Sequence, residues 1–99
     1  MTAYAVAHMH QVTMGPQIVE YLQRIDATLE PFGGRFLVRG GRNEVMEGRA
    51  RSRCVCVEFP SYDLALACYR SPEYRRAIEL RAGKADFDLV IIEGVGAAN

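Results

Sequence analysis

Two glycine pairs bracket a five-residue segment near the middle of this chain: Gly33-Gly34, then Arg35-Phe36-Leu37-Val38-Arg39, then Gly40-Gly41. A helix does not run through a Pro31-Phe32-Gly33-Gly34 sequence, and a strand does not continue through a second pair of glycines. The segment between them is therefore a short strand that turns at both ends. On a regular strand Arg35 and Arg39 alternate with Phe36 and Val38, so the spacing predicts two guanidinium groups on one face of a sheet.

Upstream, Tyr4 to Val12 alternates Ala5, Ala7 and Met9 with Val6, His8 and His10, the period of a strand. Pro16 suits a first helical position, and Ile18, Leu22, Ile25 and Leu29 form one apolar stripe of a helix that Pro31 ends. Downstream, Val55 to Phe59 is a strand closed by Pro60. The connection from Gly40 to Arg53 is expected to extend a hairpin, with Gly48 at its turn. Ser61 caps a helix with Leu64, Ala65, Ala67 and Cys68 on its buried face. Ser71-Pro72-Glu73 restarts that helix, and Tyr74, Ala77, Ile78 and Arg81 continue its pattern to Gly83. Leu89 to Ile92 is a compact apolar strand ended by Glu93-Gly94. The order strand, helix, strand, strand, helix, strand predicts an α+β fold. It is the ferredoxin-like βαββαβ plan, with a four-stranded antiparallel sheet and two helices on one face.

The 99 residues allow one domain, 1–99, with one modest core. Twelve basic residues balance twelve acidic ones, so no global field draws the chain to nucleic acid or to an anionic membrane. Arg49, Arg51 and Arg53 alternate along the hairpin arm with Glu44 and Glu47 nearby, which reads as a solvated edge. The longest apolar run is too short to span a bilayer, and the N-terminus lacks the pattern of a signal peptide. Three cysteines, with Cys54 and Cys56 too close on a strand to suit a bridge, point to a reduced, cytoplasmic protein.

With the helices over Ala5, Ala7, Met9, Phe36, Val38, Val55, Val57, Val90 and Ile92, the other face carries Val6, His8, His10, Arg35, Leu37, Arg39, Cys54, Cys56, Glu58, Leu89, Ile91 and Glu93. Nothing else in the chain is left to cover that face, and clustered exposed aliphatic residues are uncommon on monomers. The expected partner is a second copy, in a homodimer whose open sheet faces meet around a partly polar cavity.

The segments Phe-Gly-Gly-Arg-Phe-Leu-Val-Arg-Gly-Gly (32–41), Glu58-Phe59-Pro60-Ser61, Tyr69-Arg70-Ser71-Pro72-Glu73-Tyr74 and Glu93-Gly94 together resemble the domain of unknown function 1330 (DUF1330) family. The resemblance runs over nearly the whole chain in the right order. It implies a dimeric α+β barrel, a superfamily that includes cofactor-independent quinol monooxygenases, lactone isomerases and dehalogenating or haem-binding relatives. It implies no catalytic residue. The chain departs from the family pattern at Gly15, where related sequences carry an acidic residue, so the start of the first helix is weakly capped.

Three groups of residues carry candidate chemistry. Arg39, with Glu58 or Glu93, suits an acidic ligand because a guanidinium fork grips a carboxylate; the bland alternative is a cross-strand Arg39–Glu58 ion pair. His8 is the candidate acid–base, and His10 shares its face as a ligand contact; the alternative is an imidazole satisfied at the interface. Tyr69, Glu73 and Tyr74 sit where the second helix breaks and restarts, and the free N–H groups at Ser71 favour an anion there, against local capping and aromatic packing. A metal site built from His8, His10, Cys54 and Cys56 is disfavoured, since a flat sheet rarely converges four ligands. No cofactor is implied. The expected function is a cofactor-independent enzyme, monooxygenase- or isomerase-like, acting on a small acidic or enolisable metabolite. The alternative is a non-catalytic dimeric small-molecule-binding or accessory module.

Overall fold

The computed structural model describes residues 2–12, 14–49, 53–83 and 85–95. Strand β1 (Ala3–Val12) leads to helix α1 (Pro16–Leu29) and a 3-10 turn over Glu30–Phe32. Then come β2 (Arg35–Arg39), β3 (Arg53–Phe59), α2 (Tyr62–Arg70), α3 (Pro72–Arg81) and β4 (Ala85–Glu93). The sheet order is β2-β3-β1-β4 and every pairing is antiparallel, the ferredoxin-like plan.

Helix ends follow local chemistry. Gly15 precedes α1 and supplies no side-chain cap, so Pro16 alone marks the start. Ser61 accepts the Leu64 N–H at 3.1 Å to open α2. Ser71 ends α2 in extended backbone, accepts the Tyr74 N–H at 3.3 Å and donates to the Cys68 carbonyl at 2.7 Å. One serine thus terminates one helix and caps the next. The exit from α1 depends on close approach: Gly33 adopts a left-handed φ of 74°, and a Cβ on Gly34 would lie 2.7 Å from the buried Phe59 ring.

The core joins Ala3, Val57 and Phe59 of the sheet to Tyr21, Ile25, Leu29, Ala65, Cys68, Tyr74 and Ala77 of the helices. Buried Thr28 donates back to the Ile25 carbonyl at 2.6 Å, and the Cys68 thiol donates to the Thr28 carbonyl at 3.4 Å, tying α1 to α2.

Three sequence expectations about faces and pairing need correction. First, β2 is not regular: Phe36 pairs with Val57 but Val38 pairs with Cys56, leaving Leu37 as an extra residue. That bulge reverses the pleat, so Arg35 stays on the open face opposite Glu58 while Arg39, opposite Val55, turns under the helices. Second, β4 has the opposite phase. Ile91 pairs with Ala5 and Leu89 with Ala7, both under the helices, and Val90 and Ile92 are exposed. Third, no strand pairing extends the β2–β3 hairpin between Gly41 and Arg49 among the described residues; Gly48 does adopt a turn φ of 86°. Arg51 lies outside the described residues. No helix among those described is long and apolar enough to cross a membrane.

Candidate functional site

Between the helices and the sheet lies a cavity of 330 Å³. Small residues leave the gap between the layers unfilled, with Ala5 and Ala7 on the sheet and Ala65 on α2. Phe36, Phe59, Phe87, Leu89, Ile91 and Ile25 make most of the remaining wall apolar. Few lining residues carry a polar group: Tyr21, Tyr69, Tyr74, Cys68, Arg39 and Arg53. A cavity of this size and lining matches the usual small-molecule site, apolar with a few convergent polar groups.

Arg39 is exposed at the rim. Its Nη1 lies 3.0 Å from Asp26 of α1, and its guanidinium stacks 4.0 Å from the centre of the Phe36 ring. Both contacts follow from the bulge at Leu37, which brings Arg39 beneath α1. Arg53 opens β3 opposite Met9 and lines the same cavity, so the rim carries two cations.

The far wall is aromatic. Tyr21 and Phe87 meet edge to face with centroids 6.4 Å apart, and Tyr69 and Tyr74 are tilted at 5.4 Å. Behind the first pair sits Arg81, buried at 8 % exposure, with its guanidinium 3.9 Å from the Phe87 centroid and 5.6 Å from that of Tyr21. Its Nε is buried with no hydrogen-bond partner among the described residues. Burying an ion costs several kcal/mol, whereas stacking on an aromatic face returns about 2 kcal/mol when desolvated.

Burial pushes the Tyr21 phenol above its ordinary range, with the charges of Arg81 and Arg39 acting in the opposite direction. Tyr74 is pushed up further, again chiefly by burial, with Tyr21 adding to the rise and Arg81 opposing it. The Cys68 thiol is raised by burial to about 11. At neutral pH these groups are therefore protonated donors and not bases. None of the described residues that line the cavity is a histidine or a carboxylate.

Of the residues singled out in the sequence, the structure brings Arg39, Tyr69 and Tyr74 to this cavity. His8, His10 and Glu58 lie across the sheet from it. His8 pairs with Cys54 and stands opposite Asp88, its Nδ1 buried without a partner among the described residues. His10 Nε2 is 2.6 Å from Asp88, and Glu58 is bound at 2.8 Å by Arg35, not by Arg39. Glu93 ends β4 opposite Ala3 and is exposed. Cys54 and Cys56 are free thiols on the same open face, and no metal-ligand cluster of three or more forms among the described residues.

Sequence reading missed Tyr21 and Arg53, which line the cavity, and Arg81 behind it. One signal was present: Tyr74, Ala77 and Arg81 recur at three and four residues, which puts an arginine on the buried stripe of α3.

A family model described as domain of unknown function (DUF1330) matches residues 2–95. No curated protein matches the sequence. Among solved structures, a protein of unknown function from Rhodopseudomonas palustris superposes with TM-score 0.72 at 17% identity, covering 96% of this chain and 83% of that one. A dimeric ferredoxin-like protein of unknown function from Jannaschia sp. CCS1 gives 0.71 at 14% identity, over 95% of this chain and 100% of the other. SnoaB, a cofactor-independent oxygenase from Streptomyces nogalater, gives 0.57 at 9% identity, over 97% and 93%. At these identities the likeness is one of fold.

Proposed function

The chain belongs to the DUF1330 family, and from that footing we propose that it binds a small, mostly apolar metabolite carrying an acidic group. The site is the cavity between helices and sheet, with the Arg39 side of the rim as its entrance. The observation that carries this reading is the cavity itself: 330 Å³, walled by aliphatic and aromatic side chains and edged with cations and neutral hydroxyls. Arg39 gives up part of its fork to Asp26 and retains donors for a ligand carboxylate.

A thermal-shift screen over small aromatic carboxylates and quinols tests the reading, with Leu22→Trp as the control. Leu22 is half-exposed and lines the cavity, so a tryptophan there obstructs it without entering the core. Ligands should raise the wild-type melting temperature and leave Leu22→Trp unmoved. Equal shifts in both proteins would place binding elsewhere.

A second reading is catalytic. The protonated Tyr21 and Tyr74 hydroxyls are donors suited to an enolate or phenolate oxygen, so a substrate that loses its proton to solvent and enters as the anion would be stabilised there. SnoaB is a cofactor-independent oxygenase on a similar fold. Oxygen uptake with a hydroquinone, faster with protein than without, supports this reading, and no acceleration favours the binding module.

The open sheet face is proposed to pack against a second copy in the cytoplasm. Val38, Cys56, Val6 and Val90 form an apolar row across its centre. The Arg35–Glu58 and His10–Asp88 pairs lie at opposite corners, a layout that a two-fold axis through the middle would bring together. The Jannaschia neighbour is dimeric.

A further inference from the structure

Arg81 holds a buried guanidinium that no described carboxylate meets. Arg35, Arg39 and Arg24 each have an acid within 3.0 Å, whereas Arg81 has two aromatic faces and a buried Nε without a partner. The rings against which it lies, Tyr21 and Phe87, are walls of the cavity. Tyr74 stands two turns before Arg81 on the buried stripe of α3, and its ring also lines the cavity. No hydrogen bond from the Tyr21 or Tyr74 hydroxyl is formed among the described residues. Two hydroxyl-bearing residues on one wall, Tyr21 and Tyr74, with a buried cation packed behind the Tyr21 and Phe87 rings, are a donor set for an anionic oxygen that reaches past those rings.

We propose that Arg81, Tyr21 and Tyr74 form a carboxylate subsite where α1 and α3 meet β4, and that the ligand is a planar aromatic acid with its carboxylate inward. This assignment rests on the cavity being the ligand site, and it reverses the orientation that Arg39 alone would suggest. Arg39 lies at an exposed rim with Asp26 and Phe36 already against it, so its attraction for an anion is screened by solvent and by its own partner. Arg81 is buried at 8 % exposure and has no competing acid among the described residues. The ligand's ring would lie along Phe87, with Ala5, Ala7 and Ala65 leaving room for a flat body.

The test compares two probes of one shape, 1-naphthoate and the uncharged 1-naphthamide, by calorimetry and by the Arg Nε–Hε signal of Arg81 in 15N NMR. Wild type should bind the acid at least about tenfold more tightly than the amide, as expected when a charge-assisted hydrogen bond is gained. The Arg81 Nε–Hε signal should move on adding the acid and not the amide. Arg81→Met should lose the preference, and Tyr74→Phe should weaken it, while Arg35→Met, on the open face away from the cavity, keeps it. Should Arg81→Met fail to fold, the wild-type Nε–Hε shift and Arg81→Lys, which retains the cation, carry the test. Equal affinity for the two probes, or a preference that survives Arg81→Met, would overturn the subsite and leave the cavity standing as a binding site. No binding of either probe at millimolar concentration would overturn both.

Discussion

Arg35 and Arg39 lie four residues apart on one five-residue strand and point to opposite faces of the sheet, because Leu37 is an extra residue in the ladder to β3. Arg35 closes on Glu58 at 2.8 Å across the open face, and Arg39 reaches Asp26 of α1 at 3.0 Å beside the cavity. A single bulge decides which of the two arginines lines the cavity.

The Arg39–Asp26 pair should contribute little to folding. Both side chains are largely solvent-exposed, so Asp26→Asn should shift urea denaturation by less than about 1 kcal/mol. The same change should strengthen acidic-ligand binding slightly if Asp26 competes for Arg39. A loss of several kcal/mol in the denaturation curve would mean that the pair has a structural role beyond the rim.

Gly34→Ala should be far more costly than its size suggests. Its new Cβ would meet the Phe59 ring at 2.7 Å and Leu29 Cβ at 3.2 Å, both in the core. Overpacking of this kind costs about 1–3 kcal/mol, read from the same denaturation curves. An unchanged midpoint would show that the turn after α1 is free to relax.

Ser71→Ala removes the cap of α3 and the bond to the Cys68 carbonyl together. A loss of about 1–2 kcal/mol is expected. Ser71→Asp, which restores an N-cap acceptor but cannot donate to Cys68, should recover only part of it.

Stability should decline at alkaline pH. The Cys68 thiol rises from 9.0 to about 11 in the folded protein, and the Tyr21 and Tyr74 phenols lie above their ordinary 10.0. Below pH 9 these groups are protonated in both states, and their full contribution is present. As pH climbs past 9 the unfolded chain loses these protons first, so unfolding is favoured progressively through about 11. Thermal melts should be flat from pH 7 to 8.5 and fall above 9, with a shallower fall in Cys68→Ala. A melting temperature that holds steady to pH 11 would contradict the burial of these groups.

The element order, the stripe of α1, the double role of Ser71 and the break after Leu29 were all legible in the residues, because each depends on local spacing or on a proline, glycine or serine. Two features were not. The phase of β4 is ambiguous because Leu89, Val90, Ile91 and Ile92 form an unbroken apolar run without alternation; pairing with Ala5 and Ala7 fixes it. The bulge at Leu37 is a property of two strands in register, and nothing in Arg35–Arg39 alone signals it. Those two inversions moved the candidate site from the open face, where His8 and His10 lie, to the helix side. Arg81 was visible on its apolar stripe, but only the fold shows that no described acid accompanies it.

The two faces of the sheet can be told apart by their methyl groups, since residues adjacent in sequence point opposite ways. Ala5, Ala7, Leu89 and Ile91 line the cavity, while Val90 and Ile92 are exposed on the open face. Methyl NMR spectra recorded during titration with 1-naphthoate should show the largest shifts at the first four. Shifts concentrated at Val90 and Ile92, with the cavity methyls unmoved, would contradict a ligand site between helices and sheet.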